Sequence, residues 1–316
     1  MHKVIRDMEA SVVEGEGQPL ISCPKAYLES LKSFYASQQP VKHPTEECIE
    51  KHLLSLICDY VDDLSLQDRC CILAVGSGNG SNDLLFIETL SNLRREIDNK
   101  WQVFQRSIEP DEKMLELFRA RAEDLPELLT SRADIEFEWH LMTFQKYVEQ
   151  KKKDNVKFEV VHFLHSLYYV GLETSLEHCY EKELGEKGVI VCAFADKKST
   201  FVRYGQEFSS QGLILNAETY YSSKEVKDVA EKNGWKYAEC PGETRMCDIT
   251  AIFDRSSVKG NRLLDFLTSR LNVAETVSQE NLQIILDFWE NECFEDCHGR
   301  KVVTMRMVTV FIFKGF

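Results

Sequence analysis

An alternation of short apolar segments with charged helical segments between residues 71 and 194 constrains the fold most strongly. The apolar segments are predicted to be strands, at 71–75, 103–109, 135–141, 158–164 and 188–194. The charged segments between them, such as 111–122 and 143–152, are predicted to be helices. Strands that are joined through helices pair in parallel, so this rhythm predicts an α/β fold with a mostly parallel sheet and helices on both faces.

The rhythm changes after residue 195. The patterns there predict helices near 199–208, 223–233, 260–271 and 279–291, a strand at 246–253, and a final strand with the sequence VVTMRMVTVFIF. A chain that ends on strands instead of another strand–helix unit favours antiparallel pairing at its end. We therefore expect a seven-stranded sheet with an antiparallel edge.

The N-terminal part is predicted to hold two helices after a loose, polar extension at 1–22. Pro24 suits the first turn of a helix, and Tyr27, Leu31 and Phe34 follow at helical spacing. Thr45 is the expected N-cap of the second helix.

The charge balance disfavours nucleic acid and membrane partners. The chain of 316 residues carries 52 acidic and 38 basic side chains, for a net charge of −14, so it has no general attraction for polyanions. The first residues contain no apolar run of signal-peptide length, and no apolar segment reaches the length of a membrane span. The sequence thus predicts a cytoplasmic protein, expected to be a monomer.

The eleven cysteines are scattered and odd in number, which predicts reduced thiols. Cys293, Cys297 and His298 form the only cluster with a metal-like spacing, but a second ligand pair is missing. No metal is expected.

A glycine-rich turn follows the first apolar strand in CILAVGSGNGSNDL, with glycines at Gly76, Gly78 and Gly80. A dinucleotide fingerprint needs a glycine at the position of Ser81, and a phosphate-binding P-loop needs a Gly-Lys pair that is absent here. Glu109 ends the second strand, where it can accept hydrogen bonds from two ribose hydroxyls. These features favour a nucleoside without phosphates, such as S-adenosylmethionine, over the alternative of a purely structural turn beside a solvated acid.

Further segments carry a resemblance to a known family: ILAVGSGNG-x-x-D-L, IEP (108–110), F-x-WH (137–140), HFLHSLYYV (162–170), Tyr204-Gly205 and LLDFLTS (263–269). From about residue 26 to the C-terminus the chain resembles histamine N-methyltransferase, and within that family the relatives that methylate carnosine. The resemblance implies a class I (Rossmann-like) methyltransferase fold, S-adenosylmethionine as cofactor and a small imidazole compound as substrate.

The resemblance also implies the cofactor residues and the domain division. The implied cofactor-binding residues are the glycine turn, Glu109, which would bind the ribose, and Met114, Thr143, Phe144 and Leu164. Met114 and Phe144 stand where the family has polar residues. The implied domains are helices over the substrate site at 23–66, a cofactor-binding domain at 67–195, and a substrate-binding region with the final strands at 196–316.

Two polar residues are implied to act on the substrate. Glu46 matches a family glutamate that binds substrate, and its alternative is an acid that stabilises a helix N-terminus. His165 stands where the family has a glutamine, at the carboxyl end of the fourth strand, and its alternative is a satisfied core histidine. Either residue could take a ring proton as general base or select the imidazole tautomer.

Aromatic residues are implied to form the walls of the substrate site: Tyr168, Tyr169, Phe201 and Phe266, with Phe201 in place of a tryptophan. Their alternative is plain packing in the core.

Arg306 stands where the family has an asparagine that helps to bind histamine. An arginine can clamp a carboxylate, which carnosine has and histamine lacks. Its alternative is an arginine on an exposed strand face, since alternation places Arg306 opposite Met305. A slip of one residue in the alignment would put Met305 in the site instead.

The sequence therefore predicts an enzyme that methylates the imidazole ring of a small molecule, with carnosine favoured. Histamine methylation and a catalytically silent cofactor-binding homologue stay open as alternatives. A nucleic-acid methyltransferase is disfavoured by charge and by the lack of an Asn-Pro-Pro-Tyr-type motif after strand four.

Overall fold

The computed structural model describes residues 17–38, 69–93, 100–150, 155–209, 213 and 220–315. In these residues the main sheet has eight strands: β2 (Arg69–Val75), β3 (Trp101–Glu109), β4 (Ala133–Leu141), β5 (Phe158–Leu164), β6 (Leu184–Ala195), β7 (Lys236–Asp248), the two-residue β9 (Phe294–Glu295) and β10 (Lys301–Lys314). β9 pairs only with the start of β10. β2 and β5 are almost continuously buried, as expected for parallel strands that are covered on both faces.

The strand order is β4-β3-β2-β5-β6-β10-β7, and the neighbours from β4 to β6 pair in parallel. Residues 307–314 of β10 pair antiparallel with residues 188–195 of β6. This is the order of class I methyltransferases, and it confirms the predicted fold class.

β10, the antiparallel partner of β6, lies between β6 and β7 at the end of the sheet where the sequence predicted an antiparallel edge. Residues 308–313 of β10 are all buried. A strand without an exposed face is better covered by neighbours on both sides than left with an unpaired edge.

Helices connect these strands. They are α1 (Pro24–Ser37), α2 (Ser81–Leu93), α3 (Glu112–Glu123), α4 (Glu127–Arg132), α5 (Phe144–Gln150), α6 (Leu172–His178), α7 (Thr200–Phe208), α8 (Ser223–Lys232), α9 (Val258–Thr268), α10 (Val273–Thr276) and α11 (Gln279–Glu292). The predicted helices after residue 195 are thus confirmed, with ends that differ by at most three residues.

The strand predicted at 246–253 is wrong in its bounds. β7 covers Lys236–Asp248, and Thr250–Phe253 forms a 3-10 turn. Pro241-Gly242 indicates a turn in the sequence and concealed the first half of the strand. β7 ends the strand order, and a proline is tolerated in such an edge strand because it has no ladder partner on one side.

The N-terminal extension predicted as loose to residue 22 is partly ordered. β1 (Gln18–Pro19) pairs antiparallel with β8 (Arg270–Leu271), and Leu20 in the following 3-10 turn is 2% exposed. Burial of this leucine holds the segment against the fold, which the polar composition of the segment did not indicate. The second predicted helix, from Thr45, lies outside the described residues.

The chain divides into two compact units. The first consists of the described residues of 1–41, 197–220 and 244–306, and the second those of 42–196, 221–243 and 307–316. The second unit therefore includes 221–243 and 307–316, which belong to the part of the chain, 196–316, predicted to combine a substrate-binding region with the final strands. These segments complete the sheet through β7 and β10, so strand pairing outweighs their position in the chain.

Each unit has its own apolar core. In the second unit, alternate residues of β5 enter opposite faces of the sheet: Val161 and Phe163 pack with one cluster, Val160 and Leu164 with the other. The first unit is built around a further cluster that includes Tyr204 and Trp289, whose rings stack 5.3 Å apart.

Gly205 allows close packing within the first unit. A Cβ atom at this position would lie 2.0 Å from the ring of Tyr220. We expect Gly205→Ala to lower the free energy of unfolding by about 1–3 kcal/mol, the usual cost of overpacking, although alanine is the better helix former. Chemical denaturation measures the change. In a Tyr220→Ala background the same substitution should be neutral or stabilising, and an equal loss in both backgrounds would contradict this explanation.

Candidate functional site

The glycine turn lies where the strand order reverses. β2 pairs with β3 on one side and β5 on the other, and such a switch point at the carboxyl ends of the strands is where doubly wound folds bind ligands. Val75, the last residue of β2, is in register with Ile108 of β3. The turn therefore stands directly beside Glu109.

The three glycines of the turn have different structural roles. All have positive φ, at 72°, 55° and 74° for Gly76, Gly78 and Gly80. A Cβ atom would lie 2.4 Å from the Cβ of Ser166 at Gly76 and 2.0 Å from the ring of Phe118 at Gly80. At Gly78 it would meet no atom of the described residues within 4 Å. Two glycines thus allow packing, while the third leaves the backbone open to a ligand.

The Glu109 carboxylate connects the turn to the end of β3. It accepts hydrogen bonds from the Gly78 N–H at 2.8 Å and from the Asp111 N–H at 2.9 Å, and the residue is 7% exposed. Burial raises the pKa of Glu109, and the two N–H groups offset part of this effect. A buried, fixed carboxylate beside open backbone fits the ribose of an adenosyl group.

The other predicted cofactor residues differ in what they offer. Met114 and Thr143 are half-buried, and the Thr143 hydroxyl accepts a hydrogen bond from the Lys146 N–H at 3.3 Å. Phe144 is 3% exposed and packs in the core against Tyr147, and Leu164 is likewise a core residue. The structure thus gives Phe144 and Leu164 side chains a packing role.

His165 directly follows β5 at the same edge of the sheet as the glycine turn. Its backbone N–H donates a hydrogen bond to the Ala193 carbonyl at 2.9 Å, and its φ is 63°. A non-glycine residue in this left-handed region is strained, which is common at functional positions. The side chain is half-buried.

Tyr168 and Tyr169 follow His165 in a short 3-10 turn. Their rings meet edge to face at 4.7 Å, and Tyr169 is 37% exposed. They are therefore partly accessible aromatic surfaces and not closed core residues.

The first unit holds the predicted aromatic residues Phe201 and Phe266. Phe266 on α9 stacks on Phe34 of α1 at 4.3 Å, and Phe201 on α7 lies 4.8 Å from the ring of Tyr220. Both phenylalanines are half-buried, so each leaves part of its ring exposed.

Arg306 is on the opposite face of β10 from Met305. Met305 is 4% exposed within the apolar core of the first unit and accepts a hydrogen bond from the Ser199 hydroxyl at 3.6 Å. Arg306 is half-buried, and within the described part of the chain its buried Nε atom has no hydrogen-bond partner. An unmatched buried guanidinium N–H is costly and favours an anionic ligand.

Glu46, the remaining predicted site residue, lies outside the described residues. Its role is carried by the sequence alone.

A buried polar group beneath the turn was missed from the sequence. Asp83 on α2 is 2% exposed and accepts a hydrogen bond from Gln105 of β3 at 2.8 Å, while His162 of β5 lies 3.6 Å away. The helical pattern held a signal for it, because Asp83 shares a face with the buried Phe86, Ile87 and Leu90.

No helix in the described ranges is both long and apolar enough to span a membrane. In the same ranges, no group of three or more His, Cys, Asp or Glu side chains could hold a metal ion. Cys293 and Cys297 are both free thiols.

Comparison with known proteins finds related methyltransferases. Histamine N-methyltransferase of Danio rerio is 24% identical over 246 residues, covering 76% of this chain and 80% of that protein. Carnosine N-methyltransferase 2 of Gallus gallus is 24% identical over 284 residues, covering 87% of this chain and 81% of that protein. No protein-family model matches the chain.

Among solved structures, the YcgJ protein of Bacillus subtilis matches with a TM-score of 0.50 and 11% identity over 83% of this chain and 98% of that one. At this identity the match supports the fold alone. The strand order and the curated relatives together make the chain a class I methyltransferase. Its cofactor is S-adenosylmethionine. Its curated relatives are histamine N-methyltransferases and a carnosine N-methyltransferase, at low identity over most of the chain.

The glycine turn permits a matched test of cofactor binding. Gly78→Ala should weaken binding of S-adenosylhomocysteine by more than about tenfold, because the new methyl group fills the open approach, and should cost only about 1–2 kcal/mol of stability for the positive φ. Gly80→Ala should cost more stability, because its methyl group also meets the Phe118 ring. Calorimetry and thermal unfolding measure the two effects. Equal affinity of Gly78→Ala and the unmutated chain would argue against this position as the ligand approach.

Proposed function

We propose that this methyltransferase transfers a methyl group to an imidazole nitrogen of a small molecule, and that carnosine is the favoured substrate. The imidazole is common to histamine and carnosine, the compounds in the names of the curated relatives. The observation that carries the choice of carnosine is Arg306, whose buried Nε atom lacks a hydrogen-bond partner among the described residues.

The chemistry of the two compounds separates them. Histamine is a cation, and a nearby guanidinium would repel its ammonium group. Carnosine has the same imidazole and adds a carboxylate, which an arginine can bind with two parallel hydrogen bonds. Arg306 therefore favours an imidazole compound that also has a carboxylate.

The residues of the chain fit the cofactor through the open backbone at Gly78 and the carboxylate of Glu109. S-adenosylmethionine supplies, when bound, an electrophilic methyl group on a sulfonium. A neutral imidazole is already nucleophilic, so the protein needs mainly to orient the ring and exclude water.

His165 and Glu46 are assigned to the imidazole ring. His165, in its strained conformation at the end of β5, would hold one ring nitrogen and so select the tautomer or accept its proton. Glu46 would bind the ring N–H or the substrate ammonium. Tyr168, Tyr169, Phe201 and Phe266 would provide aromatic surfaces for the ring.

Histamine is the second candidate substrate, since the Danio rerio relative and further relatives in Xenopus laevis and Xenopus tropicalis are named histamine N-methyltransferases. A catalytically silent homologue is the third possibility. Incubating the chain with labelled cofactor and a panel of imidazole compounds, followed by mass spectrometry, distinguishes all three. Methylated carnosine as the main product supports the proposal, methylated histamine replaces it, and no labelled product from any compound contradicts an enzyme of this type.

Arg306→Asn tests the carboxylate clamp. We expect kcat/KM for carnosine to fall by about 10- to 150-fold, equivalent to about 1.5–3 kcal/mol for a charged hydrogen bond. Histamine methylation should be unchanged or improved, because the repulsive charge is removed. Steady-state kinetics with both substrates measures the split.

Arg300→Asn is the matched control for this test. Arg300 bears the same charge just before β10, but Asp296 already binds its guanidinium at 2.6 Å. Its replacement should leave the preference between the two substrates unchanged. If both variants lose carnosine activity equally, net charge and not a specific clamp determines the preference.

Glu46→Gln tests whether this residue acts on substrate. The affinity for S-adenosylhomocysteine should remain within about twofold, while turnover falls by about 100-fold or more if the carboxylate acts as a base. Calorimetry, thermal unfolding and initial rates separate the effects. A parallel loss of cofactor affinity and melting temperature would instead assign Glu46 to stabilisation of a helix.

A further inference from the structure

The buried side of the glycine turn holds an acidic residue that the proposed reaction does not use. Asp83 lies in the first turn of α2, immediately after Gly80, and is 2% exposed. A carboxylate so deeply buried destabilises a fold unless its surroundings stabilise the charge. Its position directly below the turn suggests that this cost serves the cofactor site.

The neighbours of Asp83 connect it to both halves of that site. Gln105 donates to its carboxylate at 2.8 Å and also to the Ser107 hydroxyl at 2.9 Å, and these two residues precede Glu109 on β3. The Ser77 hydroxyl has no hydrogen-bond partner among the described residues, and its proximity also favours the ionised carboxylate. Ser77 lies between Gly76 and Gly78.

Two other titratable groups face Asp83. His162 of β5 is 1% exposed and has its Nε2 atom 3.6 Å from the Asp83 carboxylate. Neither of its ring nitrogens forms a hydrogen bond with another described residue. Burial lowers the pKa of His162 to about 3, so the ring is neutral. Glu109, at the end of β3, disfavours a second negative charge at Asp83.

We propose that Asp83 is a positioning residue for the cofactor: its ionised carboxylate, bound by Gln105 of β3, holds the start of α2 against that strand, so that Gly78 of the preceding turn and Glu109 stay aligned. Protonation removes the charge that strengthens the hydrogen bond from Gln105 and turns one carboxylate oxygen from an acceptor into a donor toward the neutral His162. The turn then loses its support, and the cofactor binds more weakly.

Protonation occurs in the physiological range. Burial raises the pKa of Asp83 from 3.8 to about 7, and the hydrogen bond from Gln105 offsets only part of the shift. The folded protein thus retains this proton over a range in which the unfolded chain loses it. The stabilisation that protonated Asp83 gives to the folded state is fully present below about pH 4 and is lost as the pH rises through about 7. The ionised form needed for binding is therefore the less stable one.

Asp83→Asn separates a positioning role from a merely structural one. Asparagine keeps an acceptor oxygen for Gln105 but carries no charge. The melting temperature of the variant should therefore exceed that of the unmutated chain at pH 8, and this difference should disappear toward pH 5. In the same variant, the affinity for S-adenosylhomocysteine at pH 8 should fall by about threefold or more. A structural residue would lose stability and affinity together, and that result would overturn the proposal.

The pH profile of binding supplies a test that needs no variant. In the unmutated chain, the Kd for S-adenosylhomocysteine should rise by about three- to tenfold when the pH is lowered from 8 to 6. Binding at pH 7 should release about half a proton. Calorimetry in buffers of different ionisation enthalpy measures this release. Asp83→Asn should abolish both effects.

Glu109→Gln is the control for the second carboxylate, and Asp134→Asn, an exposed acid of β4, is the control for net charge. Both variants should retain the proton release, even though Glu109→Gln binds more weakly. The proposal is overturned if the proton release persists in Asp83→Asn or disappears in Glu109→Gln. A complete lack of binding by the unmutated chain would overturn the cofactor assignment itself, on which this role rests.

Discussion

The hydrogen bonds from the Gly78 and Asp111 N–H groups to the Glu109 carboxylate are the interaction on which the proposed cofactor site depends. They join the turn after β2 to the end of β3, so that open backbone and a fixed carboxylate face the same place. The arrangement needs parallel strands that end in register, with Val75 beside Ile108. It also needs Gly76 and Gly80, because a side chain at either position would collide with Ser166 or Phe118.

The polar residues below the turn show how a buried site can be supported at a cost in stability. Asp83, Gln105 and Ser107 are almost completely inaccessible, yet they join α2 to β3 through hydrogen bonds. Apolar residues of the same volume would stabilise the fold more readily. Their presence is explained if the geometry of the turn, and not stability alone, is the property that they maintain.

On the substrate side, strand geometry determines which residue is available for a ligand. In β10, Val303 and Met305 enter the apolar core of the first unit, and the alternation of the strand puts Arg306 on the other face. Met305 is thus occupied by packing, which leaves Arg306 as the polar candidate in this segment. Phe201 and Phe266 stay only half-buried, consistent with aromatic surfaces that a flat ring can contact.

The sequence by itself determined the strand–helix rhythm, the class of fold, the glycine turn and its acid at Glu109, because each depends on local periodicity or on residues close in the chain. The position of β10 between β6 and β7, the true extent of β7, the core role of Phe144 and the Asp83 group were decided only by the tertiary structure. Pro241-Gly242 indicates a turn unless an edge strand tolerates it. The helical pattern indicates that Asp83 is buried, but it does not reveal Gln105 and His162 as its neighbours. Local patterns record what a residue prefers, whereas burial and strand pairing depend on segments that are distant in the chain and meet only in the folded protein.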